Sequence, residues 1–254
     1  YKNNKEYFIE GVSFNANKLI DNLLSNDENS RVFLDKKFKF TIDLKKVYLD
    51  PDHIISKFEG NISLLNQKII NANLIGNLAD NKKINYSVKE LNENKKVTTL
   101  LLENAEPIVK RYKFIKGFEE GVLDFSSSSE QSTSTSTLKI YNFKLKELPL
   151  LTKILTLASL QGIADILSGE GIRFNELEMN FTNKKNLLTI KEIYAIGPAI
   201  SILMDGYVEK NKLVSLRGTL VPATTINKVI SSIPVLGKIL VGSKTGEGVF
   251  GVSF

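Results

Sequence analysis

The stretch Lys36–Asp50, KKFKFTIDLKKVYLD, decides the fold. Phe38, Phe40, Ile42 and Leu44 recur at every second position, with Lys37, Lys39, Thr41 and Asp43 between them. A period of two is the spacing at which side chains leave one face of a β-strand. The same alternation returns over Ile54–Leu65, Ile69–Leu78, Ile84–Val88, Val97–Leu102, Gly121–Ser126 and Leu138–Leu145. Asn66-Gln67, Asp80-Asn81 and Asn92-Glu93-Asn94 punctuate it as turns. Further strands are expected at Gly171–Phe181, Leu187–Ile196, Ala199–Val208 and Lys212–Leu220. The pattern predicts a mainly β fold, a meander of antiparallel strands with one apolar and one polar face. No long helices alternate with the strands, so a doubly wound parallel sheet is not expected.

Helical spacing interrupts this rhythm in a few places. Ala105–Ile115 carries Pro107 where a first helical turn accepts it, and Leu19, Ile20, Leu23 and Leu24 fall on one side of a helix over Asn17–Leu24. Between 149 and 168, Leu150, Leu151, Ile154, Leu155 and Leu157 form an apolar stripe. Past Gly162 the stripe shifts to Ile163, Ile166 and Leu167, which predicts two short helices bent at the glycine. A last amphipathic element over 224–240 carries Ile226, Val229, Ile230 and Ile233, then Val235 and Leu236 beyond the break at Pro234. The run Ser126–Thr137, SSSSEQSTSTST, reads as a flexible loop or a polar edge strand, and as the best internal boundary.

Composition removes most catalytic chemistry. The 254 residues hold no Cys and one His, which leaves no thiol nucleophile, no Cys-ligated metal and no two-His metal site. His53 follows Asp50-Pro51-Asp52 and reads as an exposed turn residue. Neither Glu119-Glu120 nor the pair Glu176 and Glu178 concentrates carboxylates as a hydrolase site requires. Lys244-Thr245 lies among glycines at Gly242–Gly248 but lacks the spacing of a phosphate loop. The expectation is a protein that is not an enzyme and needs no cofactor or metal. The net charge of +6 comes from Lys spread along the chain, only four basic residues being Arg, so no nucleic-acid face is expected. No apolar run reaches the roughly 18 residues of a spanning helix. A chain that begins at Tyr1 and stops within the alternation at Phe254 reads as part of a longer one, any membrane anchor lying outside it.

Four segments carry a family likeness: LPLLTKILTLASLQGIADILSGEGIRF (Leu148–Phe174), GPAISILMDGYV (Gly197–Val208), LRGTLVPATTINKVISSIPVLGKILVG (Leu216–Gly242) and GEGVFGVSF (Gly246–Phe254). In that order they resemble the C-terminal region of the AsmA-like superfamily, nearest its YhdP-type members. The likeness covers about 107 residues and departs modestly where Glu178 and Met179 occupy a strand rich in small residues elsewhere. It implies an elongated, twisted antiparallel sheet curled into a hydrophobic groove, in the periplasmic part of an inner-membrane-anchored protein. It also implies phospholipid acyl chains as ligand, the inner and outer membrane leaflets and envelope proteins as partners, and phospholipid transfer between the membranes as function. Residues 1–147 would then be a groove segment and 148–254 the AsmA-like module.

On that reading Phe38, Phe40, Ile42, Leu44, Leu74 and Leu78 line the groove in the first part. Leu123, Phe125, Ile140, Phe143, Leu203 and Val214 continue the lining. The helices over 149–168 and 224–240 would cap the channel or touch a leaflet. The competing expectation is a non-catalytic envelope scaffold whose sheet closes on its own core. A one-residue slip of register would invert any strand's assignment.

Overall fold

The computed structural model describes residues 5–17, 37–65, 68–92, 94–112, 115–146, 171–209, 213–222 and 250–253. The helix expected over 17–24 lies, beyond Asn17, outside the described residues, as do those over 149–168 and 224–240 with their candidate residues Leu150 to Leu167 and Ile226 to Leu236. So does the glycine cluster at 242–248.

Fourteen strands are described: β1 (Lys5–Gly11), β2 (Phe14–Asn15), β3 (Lys37–Tyr48), β4 (Ile54–Leu65), β5 (Lys68–Asn77), β6 (Lys83–Asn92), β7 (Lys95–Leu102), β8 (Phe118–Glu130), β9 (Thr133–Leu145), β10 (Ile172–Lys184), β11 (Leu187–Ile196), β12 (Ile200–Glu209), β13 (Leu213–Pro222) and β14 (Phe250–Ser253). One helix, α1 (Glu106–Tyr112), stands between β7 and β8. The hydrogen-bonded order follows the chain from β3 to β14, with β1 on the outer side of β3 and β2 also paired to β3. The first and last strands do not pair, so the sheet is open among the described residues. The expected mainly β, antiparallel sheet is therefore present. Two pairings differ from it, because β1 and β2 run parallel to β3.

The chain divides into two compact units, Tyr1–Phe114 with Val122–Gln131, and Ile115–Gly121 with Ser132–Phe254. The Ser/Thr run is neither loop nor edge. Ser126–Glu130 ends β8, the turn falls at Gln131-Ser132, and Thr133–Thr137 begins β9. Threonine suits an extended backbone, and hydroxyls find partners across the ladder, as where Thr137 Oγ1 donates to Asn180 Oδ1 at 2.8 Å.

In the first unit α1 closes one end of the strands. Asn104 Oδ1 accepts the Glu106 N–H at 3.2 Å, Glu106 sits in the first turn and Lys110 in the last, and the two pair at 2.6 Å, all favourable to the helix dipole. Arg111 Nε donates to the Leu49 carbonyl at 2.8 Å and ties α1 to the β3–β4 turn. Val109 and Ala105 are buried, as are Leu49, Leu78 and Leu102 at the ends of the strands. His53 is half-buried rather than exposed. It lies in the expected turn, its Nδ1 2.8 Å from both carboxylate oxygens of Asp50, which also accepts the Asp52 and His53 N–H groups.

In the second unit the buried end is aromatic. Phe118, Phe143 and Phe174 stack with ring centroids 5.6 and 5.3 Å apart, and none is more than 1% exposed. Phe143 and Ile140 are three positions apart, which in a regular strand would place them on opposite faces. Asn142 stands between them at φ +52°, and β9 switches its inward parity there. Glu120 at φ +63° on β8 does the same between Phe118 and Leu123, both buried. On β4, Lys57 at φ +48° separates buried Ile55 from Gly60, whose own φ of +141° would drive any Cβ into the Asn73 carbonyl oxygen. At Lys57 the register against β5 shifts, a bulge that re-aims the strand, while at Asn142 and Glu120 the left-handed residue changes which side chains face inward.

Candidate functional site

Cross-strand partners share a face, so the ladder registers assemble the apolar face rung by rung. In the first unit one rung runs Ile42, Gly60, Leu74, Tyr86, Leu100 and Phe125. The next runs Phe40, Ile62, Ala72, Val88, Thr98 and Ser127, where hydrocarbon gives way to hydroxyl on the last two strands. Tyr7 of β1 extends this rung and stacks on Phe40 at 5.4 Å. Burial pushes the Tyr86 phenol above its ordinary pKa, as an apolar face would.

Four rungs cross β9 to β13 in the second unit. They are Ile140, Leu177, Ala195, Ile202 and Leu220; then Leu138, Met179, Ile193, Met204 and Gly218; then Ser136, Phe181, Ile190, Gly206 and Leu216; then Ser134, Asn183, Leu188, Val208 and Val214. Burial varies among them: Ile140 is 1% exposed, every side chain of the second rung is half-buried, Ser136 and Ile190 on the third are buried, and Val214 on the fourth is 63% exposed.

The opposite face of the same strands is polar and knitted. Glu178 Oε2 lies 2.8 Å from Lys139 Nζ, and Glu178 accepts from Asn180 Nδ2 at 2.9 Å and from the Tyr194 hydroxyl at 3.0 Å. The Lys139 contact, with Asn180 next, holds the Glu178 carboxyl below its usual pKa. Burial first, then Glu178, pushes the Tyr194 phenol up. Glu119 pairs with Lys146 at 2.8 Å, and Glu120 with Arg173 through two bonds of 2.8 and 3.0 Å. Of the four carboxylates weighed in the sequence, Glu119 and Glu120 are each tied to a cation, while Glu176 and Glu178 both accept from the Tyr194 hydroxyl, at 3.4 and 3.0 Å. Among the described residues no group of three or more His, Cys, Asp or Glu is placed to hold a metal ion.

Eleven of the twelve predicted lining residues belong to inward-facing positions. Phe40, Ile42, Leu74, Phe125, Ile140 and Val214 stand on the rungs, while Leu44, Leu78, Leu123 and Phe143 are buried at the closed ends. Phe38 lies one rung beyond Phe40, paired with Leu64 and Lys5. Leu203 is the correction: its register partners are Tyr194 and Thr219, so it stands on the polar face. Ile200-Ser201-Ile202-Leu203-Met204 is apolar on both parities, and Ile202 and Met204, not Leu203, take the inward positions. Also missed were Leu177, Met179 and Ile193; their alternation with Glu176, Glu178 and Glu192 carries the signal in the sequence.

No protein-family model, curated protein or solved structure matches the chain. No described helix is long and apolar enough to cross a membrane.

Proposed function

We propose that the apolar rungs accept phospholipid acyl chains, and that the chain is a segment of a lipid-conducting envelope protein of the AsmA-like kind its sequence resembles. One observation carries this reading. The rung Leu138, Met179, Ile193, Met204 and Gly218 is apolar across five strands, yet each of its side chains is half-buried rather than buried. A hydrocarbon chain laid against it gains about 0.8 kcal/mol per buried CH₂, and the thioethers of Met179 and Met204 adapt to a mobile ligand. Passage of phospholipid between inner and outer membranes, through the periplasm, follows from the family likeness of Leu148–Phe254. The scaffold alternative draws on the buried stack Phe118, Phe143 and Phe174, which shows one end of the second unit closed by its own side chains.

The chain is purified from lipid-containing cells and its extract analysed by mass spectrometry, beside Ile193→Glu with Met204→Glu and, on the opposite face, Leu203→Ser. Phospholipid retained by the wild type and Leu203→Ser, and lost from the double variant, is the expected result. Absence of lipid from the wild type, or equal retention by all three, sinks the reading in favour of the scaffold.

A further inference from the structure

The inward face of the first unit changes character along β7. Its inward positions read Leu102, Leu100, Thr98 and Lys96, from 0% exposed at Leu102 to half-buried at the other three. The register partners on β8 follow the same course, through Leu123 and Phe125 to Ser127 and Ser129. Hydrocarbon thus passes to hydroxyl and then to charge along adjacent strands. On β3, β4 and β5 the level beyond Phe40, Ile62 and Ala72 stays apolar, with Phe38, Leu64 and Ile69. From Leu102 to Lys96 the strand covers roughly 20 Å, against about 15 Å of hydrocarbon in one bilayer leaflet, so an acyl tail and its headgroup fit along this course.

Lys96 is the charge that ends it. Its side chain crosses β6, and its ammonium donates to the Ile69 carbonyl of β5 at 3.5 Å, a long bond that leaves two further protons to place. Glu90 stands directly opposite Lys96 in register and is exposed. Among the described residues neither makes an ion pair. An ammonium half-buried beside an apolar face, with a carboxylate about 5 Å away and no direct pairing between them, matches a ligand that carries both charges itself.

We propose that this corner of the first unit is a headgroup subsite for a phospholipid bearing a phosphate and a primary ammonium, the chemistry of phosphatidylethanolamine. Lys96 takes the phosphate beside the hydroxyls of Thr98 and Ser127, and Glu90 accepts from the ammonium, two carbons further on. A purely anionic head is repelled by Glu90, and a quaternary ammonium offers it no N–H. The subsite rests on the acyl-binding reading of the rungs, since the tail runs from this corner past Leu100 and Phe125 toward the closed end.

The full chain, stripped of lipid, is titrated calorimetrically with the palmitoyl lysophospholipids of ethanolamine, glycerol and choline, and with hexadecyl maltoside, which has a like tail and no charge. The wild type is expected to bind the ethanolamine lipid most tightly. Lys96→Gln lowers its affinity for all three phosphate lipids about tenfold and leaves maltoside binding unchanged, while Lys96→Arg retains phosphate binding. Glu90→Gln abolishes the preference for ethanolamine over glycerol by tightening the glycerol lipid. A wild type without preference among the headgroups, a Lys96→Gln chain that binds phosphate lipids as the wild type does or loses maltoside equally, or a preference that survives Glu90→Gln overturns the proposal. Maltoside bound while headgroup is ignored removes the subsite alone; failure of every amphiphile to bind removes the acyl-binding reading as well.

Discussion

Replacement of Phe143 by Ala tests whether the closed end of the second unit is structural core rather than ligand-facing surface. The side chain is 0% exposed and lies between the rings of Phe118 and Phe174, at 5.6 and 5.3 Å. Truncating a buried Phe costs about 3–5 kcal/mol through lost transfer energy and the cavity left behind. Two ring partners, each worth about 0.5–1.5 kcal/mol beyond area, place this site near the top of that range. Neighbours cannot collapse easily into the gap, because a Cβ at Gly121 would already meet Phe143 Cβ at 3.0 Å, Phe118 Cζ at 3.1 Å and Ile140 Cγ2 at 3.4 Å. A loss of about 4–5 kcal/mol is most of the stability of an ordinary domain. For a unit of roughly 130 residues it lowers the midpoint of thermal unfolding by about 12–18 °C. Calorimetry and urea unfolding followed by circular dichroism measure it, with Met204→Ala on the half-buried rung as comparison, expected at about 1 kcal/mol. A Phe143→Ala loss below about 1.5 kcal/mol, or one equal to that of Met204→Ala, refutes the distinction between closed end and open rung.

Two further predictions concern backbone strain and titration. Lys57 is exposed at φ +48°, so Lys57→Gly stabilises the first unit by about 0.5–1 kcal/mol, whereas Gly60→Ala forces a Cβ onto the Asn73 carbonyl and costs about 3 kcal/mol; chemical denaturation that ranks them the other way contradicts the bulge geometry. The Glu178 carboxyl is depressed in the folded state by Lys139 and Asn180, so its stabilisation is present above the ordinary carboxylate pKa and is lost as pH falls through the folded value. Tyr194 is raised, chiefly by burial, so its share is full below the ordinary tyrosine pKa of about 10 and is lost as pH rises beyond it. Stability measured against pH should flatten on the acid side in Glu178→Gln and on the alkaline side in Tyr194→Phe; unchanged profiles would show the network to be idle.

The positions of most strands were legible because a sheet with one wet face writes itself as alternation. Ile54–Leu65 and Leu187–Ile196 are the observed β4 and β11. Lys5–Gly11 escaped because KEYFIEG, an edge strand exposed at nearly every position, has little apolar alternation to show. The lining face was legible where alternation was regular, as at Phe40 and Ile42. It was not legible where a single left-handed residue such as Asn142 changes the parity without marking the sequence, since asparagine is also an ordinary outward residue. Leu203 failed for a different reason: with Ile202 and Met204 beside it, hydrophobicity alone offers no face. The serine-rich hairpin was hidden by composition, because its ladder bonds are made by backbone, which composition does not record.

The ladder follows chain order from β3 onward, so each strand finds its hydrogen-bonding partner within a few tens of residues along the chain. Contacts this local make each loop closure cheap in entropy, and folding can begin at any hairpin and spread to the next. The same locality governs how such a chain changes length over evolutionary time. Gain or loss of one whole hairpin preserves the direction of every remaining strand and the face it turns inward, whereas a single-residue deletion within a strand inverts that face beyond the cut. Duplicated or excised hairpins, with point deletions confined to turns, are therefore the natural variation of this architecture.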